Sequence, residues 1–189
     1  MSKGQSIAGR KIDYKLSNND FYETPSWATN SILEKIEFEG NVYEPCSGHG
    51  AISRVLEEYG YDVISSDIRE DYDVYGNKGV DIFTMDKENV VDNIITNPPY
   101  KFAQEVIEKS LQLANKKVVM LLKLSFLESA KRYDFFKDTP LKNVYVLCKR
   151  VTMFPHGTEK PKNSGTVAYA WFEWDNEYDG EPMIKWLDD

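Results

Sequence analysis

A chain of 189 residues, 41% hydrophobic and 29% charged, is sized for one domain with one core and has the composition of an ordinary globular protein. A net charge of −8 argues against a broad electrostatic grip on nucleic acid, which needs Lys and Arg at the phosphates, and leaves room only for a local basic patch. No apolar run approaches the roughly 18 residues of a membrane span, two distant cysteines form no disulfide framework, and a reducing cytoplasm is the expected compartment.

Residues 1–19 are polar, with no apolar stretch behind their positive charges, so a flexible arm rather than a signal peptide is expected. Residues 20–189 then form a single domain. Thr24-Pro25 predicts a helix start, Thr24 as N-cap and Pro25 in the first helical position, followed by Ala28, Ile32 and Ile36 at helical spacing. "NVYEPCSGHG" reads as a short strand running into a glycine turn. "AISRVLEEYG" follows as a helix, with Ile52, Val55, Leu56 and Tyr59 on one stripe and Gly60 as its stop.

"YDVISSDI" predicts a second strand, "GVDIFT" a shorter third and "VDNIIT" a fourth. "KFAQEVIEKSLQLAN" predicts a helix ending at Asn115. "KKVVMLLKLSF" is nearly continuous in apolar residues, as a strand buried on both faces must be. A helix in "LESAKRYDFFKD", a strand in "LKNVYVLCKR" and an aromatic strand in "TVAYAWFEW" complete the pattern, before an acidic tail. No helical pattern separates the last two strands, so they pair antiparallel. The predicted fold is α/β: a seven-stranded, mostly parallel sheet with the last strand antiparallel and helices on both faces.

In open sheets of this kind, ligands bind beyond the carboxyl ends of the strands. Two unusual turns fall there. Glu44-Pro45-Cys46-Ser47-Gly48-His49-Gly50 lets a ligand approach the main chain closely. A dinucleotide fingerprint would want a third glycine where Ser53 stands, and Glu44 suits a ligand with a positive group better than a pyrophosphate. Asp67 ends strand two, where an acid can hold a ribose diol. Asp81-Ile82-Phe83 could pair with an adenine amino group and pack its face.

The second turn is Asn97-Pro98-Pro99-Tyr100. Prolines fix φ and lack an N–H, so this loop is rigid and offers carbonyls. An exocyclic amine conjugated to a ring is a poor nucleophile that gains positive charge as it attacks. The Asn97 side-chain oxygen and the Pro98 main-chain oxygen could stabilise that charge, with Tyr100 stacked on the base. The tetrad alone leaves the amine open among adenine N6, cytosine N4, RNA bases and the side-chain amide of protein glutamine.

The series "FYETP", "EPCSGHG", Asp67, Asp81 and "NPPY" resembles the S-adenosylmethionine-dependent methyltransferases of the class I Rossmann-like type, in the gamma order of the adenine-N6 DNA methyltransferases and most nearly their small phage and prophage relatives. The resemblance covers Phe21 to Trp174. It implies that Phe21, Tyr22, Thr24 and Pro25 close over the methionine end. Glu44, Cys46, Ser47, Gly48 and Gly50 would cradle the methionine, Asp67 and Ile68 meet the ribose, and Asp81, Ile82 and Phe83 meet the adenine. It also implies catalysis by Asn97, Pro98, Pro99 and Tyr100, and an aromatic in the loop between the last two strands, here Phe154. That loop is locally basic, and Lys149 and Arg150 are its candidate contacts with a flipped-out base's strand.

The expected activity is N-methylation, of adenine N6 in DNA first, with RNA or a protein glutamine as the second acceptor class. A cofactor-binding subunit without catalysis is a third reading. The DNA enzymes of this family usually carry a separate target-recognition domain; none is expected here, so a partner protein or a second copy could supply recognition. No metal is expected, because Cys46, Cys148, His49 and His156 match no common ligand spacing. Tyr169, Trp171, Trp174 and Trp186 read as core rather than as a stacking platform.

Overall fold

The computed structural model of this chain describes residues 22–70, 73–86, 91–152 and 166–188. In chain order the strands are β1 (Val42–Glu44), β2 (Val63–Asp67), β3 (Asn77–Lys78), β4 (Val91–Thr96), β5 (Ala114–Lys123), β6 (Leu141–Leu147), β7 (Tyr169–Asp175) and β8 (Met183–Leu187). The helices are α1 (Ser26–Leu33), α2 (Ala51–Glu58), α3 (Ala103–Leu113) and α4 (Tyr133–Asp138). The sheet has eight strands in the order β3-β2-β1-β4-β5-β7-β6-β8. β7 runs antiparallel to both of its neighbours, and every other pair is parallel. From β1 the chain steps outward to β2 and β3, then returns to start β4 on the other side of β1. That reversal opens a crevice between the carboxyl ends of β1 and β4.

Strict alternation along the central strands splits the core into two layers. Ile95, Val119, Leu121 and Trp171 face α1 and α2. Ile94, Val118, Met120 and Phe172 face α3 and α4. The apolar run in β5 is therefore buried on both sides, with Val118 to Leu122 at most 1% exposed. Trp171 also donates its indole N–H to the Ala28 carbonyl at 2.8 Å, locking β7 onto α1.

The α/β class and the β6–β7 hairpin are as expected, and the structure revises several details. The sheet has eight strands, not seven: β8 comes from the tail and runs parallel to β6. The expected third strand over residues 79–84 is instead a loop that ends in a 3-10 turn at Ile82–Thr84. The Asp81 carboxylate accepts the Phe83 N–H at 3.0 Å and its carbonyl accepts the Thr84 hydroxyl at 2.8 Å. Such local bonds compete with a ladder. A two-residue strand, β3, pairs with β2 in its place.

Pro25, not Thr24, is the N-cap of α1, and it has no side-chain cap. Tyr59 leaves its stripe at the end of α2 and is 48% exposed. α3 stops at Leu113, because Ala114 already pairs in β5. Of the four terminal aromatics, Tyr169, Trp171 and Trp174 are core, whereas Trp186 lies exposed on the edge strand β8. Cys148, expected inside a strand, is exposed just beyond β6. Among the described residues no helix is long and apolar enough to cross a membrane.

Candidate active site

A cleft lies over the crevice between β1 and β4. The glycine turn walls one side, Asp67 to Arg69 another, and the NPPY turn with Tyr22, Glu23 and Thr24 closes the rest. Segments up to 75 residues apart in sequence thus meet in one place.

The glycine turn is shaped by its backbone. Gly48 and Gly50 have φ of 52° and 83°, in the left-handed region, and a Cβ on Gly50 would stand 2.5 Å from the Tyr75 ring. Tyr75 is a supporting residue that the sequence pattern does not reveal. Its carbonyl accepts the Ser47 hydroxyl at 2.7 Å, and its N–H donates to the Gly48 carbonyl at 2.8 Å. The Arg54 guanidinium covers its ring at 4.4 Å. No periodicity marks that loop in the sequence, where Tyr72, Val74 and Tyr75 stand among small and charged residues.

Glu44 is 1% exposed. Its Oε2 accepts the Ser53 N–H at 2.8 Å and, in a closer contact, the Ser53 hydroxyl; the latter also touches the Ser65 hydroxyl at 2.6 Å. Burial pushes the Glu44 carboxyl up to about 8, against the Ser53 donors that pull it down. Ser53, standing where a dinucleotide turn would have its third glycine, therefore holds this acid in place. Cys46 is half-buried, and burial together with the charges of Asp67 and Glu44 pushes its thiol far up. It is no thiolate nucleophile at neutral pH.

Asp67 is 8% exposed. Its Oδ2 accepts the Gly48 N–H at 3.0 Å and its Oδ1 the Arg69 N–H at 2.9 Å. Each oxygen keeps a second lone pair for a ligand hydroxyl. Ile68 lines the same wall. Asp81, Ile82 and Phe83 adjoin it, since the Val80 N–H donates to the Asp67 carbonyl at 3.0 Å, but they lie outside the lining of this cleft.

In the NPPY turn, Asn97 donates its Nδ2 to the Thr24 hydroxyl at 3.2 Å and to the Tyr22 carbonyl at 3.5 Å. A carbonyl can only accept, so it fixes which way the amide faces. The Asn97 Oδ1 is thereby turned away from Thr24, and neither it nor the Pro98 carbonyl accepts a hydrogen bond among the described residues. The Pro99 carbonyl is used locally, by the Phe102 N–H at 2.9 Å. Tyr100 packs at 5.9 Å from the Tyr169 ring, with the Lys123 ammonium 5.0 Å from its centroid. Burial pushes its phenol well above the ordinary value, so it is no base.

The basic loop is only partly described. The Lys149 ammonium lies over the Trp27 ring at 5.1 Å, and Arg150 donates to the Thr166 carbonyl at 3.3 Å. Phe154 and Phe21 lie outside the described residues.

No family model matches the chain, and no curated protein matches it. Solved structures do. It is similar to a modification subunit of a putative type I restriction enzyme from Vibrio vulnificus (TM-score 0.58, 11% identity), covering 89% of this chain and 47% of that one. The chain thus spans about half of that subunit's length. It is also similar to a putative RNA methyltransferase from Pyrococcus horikoshii (TM-score 0.57, 14% identity, 82% of this chain and 85% of that one). A third is magnesium protoporphyrin IX methyltransferase from Synechocystis with bound SAH (TM-score 0.53, 13% identity, 79% and 82%). At such identities the likeness is one of fold: the chain has the Rossmann-like class I methyltransferase architecture.

Proposed function

We propose that the protein is an S-adenosylmethionine-dependent N-methyltransferase whose acceptor is adenine N6 in DNA. The observation that carries this reading is the orientation of Asn97. Its amide nitrogen is engaged by Tyr22 and Thr24, which leaves its oxygen and the Pro98 carbonyl as two open acceptors on a rigid turn, in the same cleft as Glu44 and Asp67. A planar amine with two hydrogens is what such a pair would hold.

The residues present fit the cofactor. Glu44 is a buried acid with no cation among the described residues, and a ligand ammonium would supply the missing charge. Asp67 retains acceptor capacity for a diol, and the glycines admit close approach. When bound, the cofactor supplies an electrophilic methyl group on a sulfonium. Asn97 Oδ1 and Pro98 O would accept from the amine and stabilise the positive charge it gains as its lone pair takes the methyl and the carbon–sulfur bonding pair stays on sulfur as a neutral thioether. The surplus proton then passes to water. Tyr100 offers its ring to the base, and its cleft position beside Tyr22 and Thr24 keeps the amine near the glycine turn. The fold it shares with the modification subunit of a putative type I restriction enzyme and with an SAH-bound methyltransferase supports the cofactor and, more weakly, the nucleic-acid substrate.

Calorimetry with S-adenosylmethionine followed by transfer of a labelled methyl group to DNA, RNA and protein tests the proposal. Binding, and label at adenine N6 of DNA, are expected. Label on RNA or on glutamine would move the acceptor to the second class. Tight binding without transfer to any polymer would favour a cofactor-binding subunit, and absence of binding would overturn the reading.

A further inference from the structure

A second cleft opens elsewhere on the sheet, between the segment that follows α1 and the first residues of β5 and β6. Its floor is polar yet buried. Glu173 is 2% exposed and Asn143 1% exposed. Asn143 donates its Nδ2 to Glu173 Oε2 at 2.6 Å, and the Tyr145 hydroxyl donates to the same oxygen at 3.1 Å. Both donors are neutral. Glu173 makes no ion pair with a described residue, and Lys142, near enough for its charge to couple to Glu173, is held by Asp175 at 2.8 Å. A buried carboxylate in that state is expensive unless a charged or donor-rich group joins it.

The neighbouring amide points to the same gap. Asn143 spends its nitrogen on Glu173 and on the Tyr145 hydroxyl, and its Oδ1 is buried and accepts nothing. Glu173 Oε1 likewise accepts nothing among the described residues. Asn143 Oδ1 is thus a buried acceptor without a donor, where buried polar atoms are normally satisfied. Lys35, Lys117, Lys142 and Lys185 line the same cleft against Glu37 and Glu39, an excess of cations, and the Lys185 ammonium lies 5.3 Å from the Tyr145 ring centroid.

We propose that this cleft is a second ligand site, for a small molecule that presents two N–H donors on one edge and carries an anionic group at the other end. The donor edge, as on a guanidinium or on guanine, pairs with Glu173 Oε1 and Asn143 Oδ1. The anionic group meets the lysines. Tyr145 packs beside the planar head. A water-filled polar plug is the competing account, and it predicts no ligand. The lining of this second cleft shares no residue with the first, so the proposal stands apart from the methyltransferase reading.

The test is thermal shift and calorimetry with guanosine monophosphate and with arginine, against adenosine monophosphate and inorganic phosphate. Saturable binding of either donor-edge probe at millimolar concentration or better is expected, and which one binds names the source. Glu173→Gln should weaken it at least tenfold while melting no lower than wild type and binding S-adenosylmethionine equally. The exposed pair Lys35→Gln with Lys185→Gln, which cannot perturb the core, should also weaken it at least tenfold. Binding of neither probe, equal binding of adenosine monophosphate or phosphate, or affinity unchanged in these variants would overturn the proposal.

Discussion

Replacing Glu44 by Gln should abolish much of the pH dependence of stability. Glu44 holds its proton more tightly folded than unfolded, with its carboxyl raised from 4.5 to about 8 by burial. The stability tied to that proton is fully present below the unfolded value and is lost as pH rises through about 8. At roughly 1.4 kcal/mol per unit, the whole shift amounts to roughly 4–5 kcal/mol, of which roughly 3 kcal/mol falls between pH 6 and 9. For a chain of this length that is about 6–12 °C in melting temperature. The Gln amide keeps an oxygen for the Ser53 donors and cannot ionise. Thermal melts of the two proteins from pH 5.5 to 9 should therefore converge at the acid end and separate at the alkaline end, with the variant melting higher. A ligand ammonium beside Glu44 would reverse the preference, so cofactor binding near pH 7 should release a proton in wild type, measurable as buffer-dependent heat, and not in the variant. Parallel melting curves with no separation by pH 9 would refute the assignment of a neutral, buried Glu44.

Three further outcomes are expected. Asn97→Ala should lower methyl transfer by about 10²–10³-fold, as loss of one charge-stabilising acceptor does, while calorimetric cofactor affinity changes little; intact transfer would remove Asn97 from catalysis. Gly50→Ala forces a left-handed backbone and drives a Cβ into the Tyr75 ring, costing roughly 2–4 kcal/mol by denaturant titration, and Tyr75→Ala should recover part of that loss. Tyr100→Phe should keep transfer near wild type and Tyr100→Ala should not, read as the transfer rate at saturating cofactor, because the ring rather than the phenol is what the base meets.

Much of this architecture was legible because periodicity and buried area go together. The two-sided run of β5 and the stripe of α2 before Tyr59 could be read directly, since each apolar position meets a core layer. β8 could not: Met183, Ile184 and Trp186 are exposed on an edge strand, so no alternation separates it from a tail. The strand expected at Asp81 failed because a single Asp side chain, bonding two residues ahead, outweighs a weak β pattern. At the site, residue types and order showed the two turns. They could not show that Thr24, read as a helix cap, hydrogen-bonds Asn97 instead, or that Tyr75 braces the glycine turn. Such contacts depend on how distant segments meet, which spacing within a segment does not encode.

The antiparallel insertion of β7 between β5 and β6 has a consequence for how this protein could diversify. The chain leaves β6 at Leu147 and re-enters the sheet at Tyr169, and Val146 pairs with Ala170 in the hairpin. The Cys148 N–H is further tied to the Leu187 carbonyl at 3.2 Å. Both ends of the intervening segment are thereby anchored beside the cleft, whatever its length or composition. Doubling a loop's length costs only about 0.6 kcal/mol in closure entropy. Insertions, deletions and residue swaps between these anchors are therefore cheap for the sheet, while Asn97 and Glu44 stay where they are.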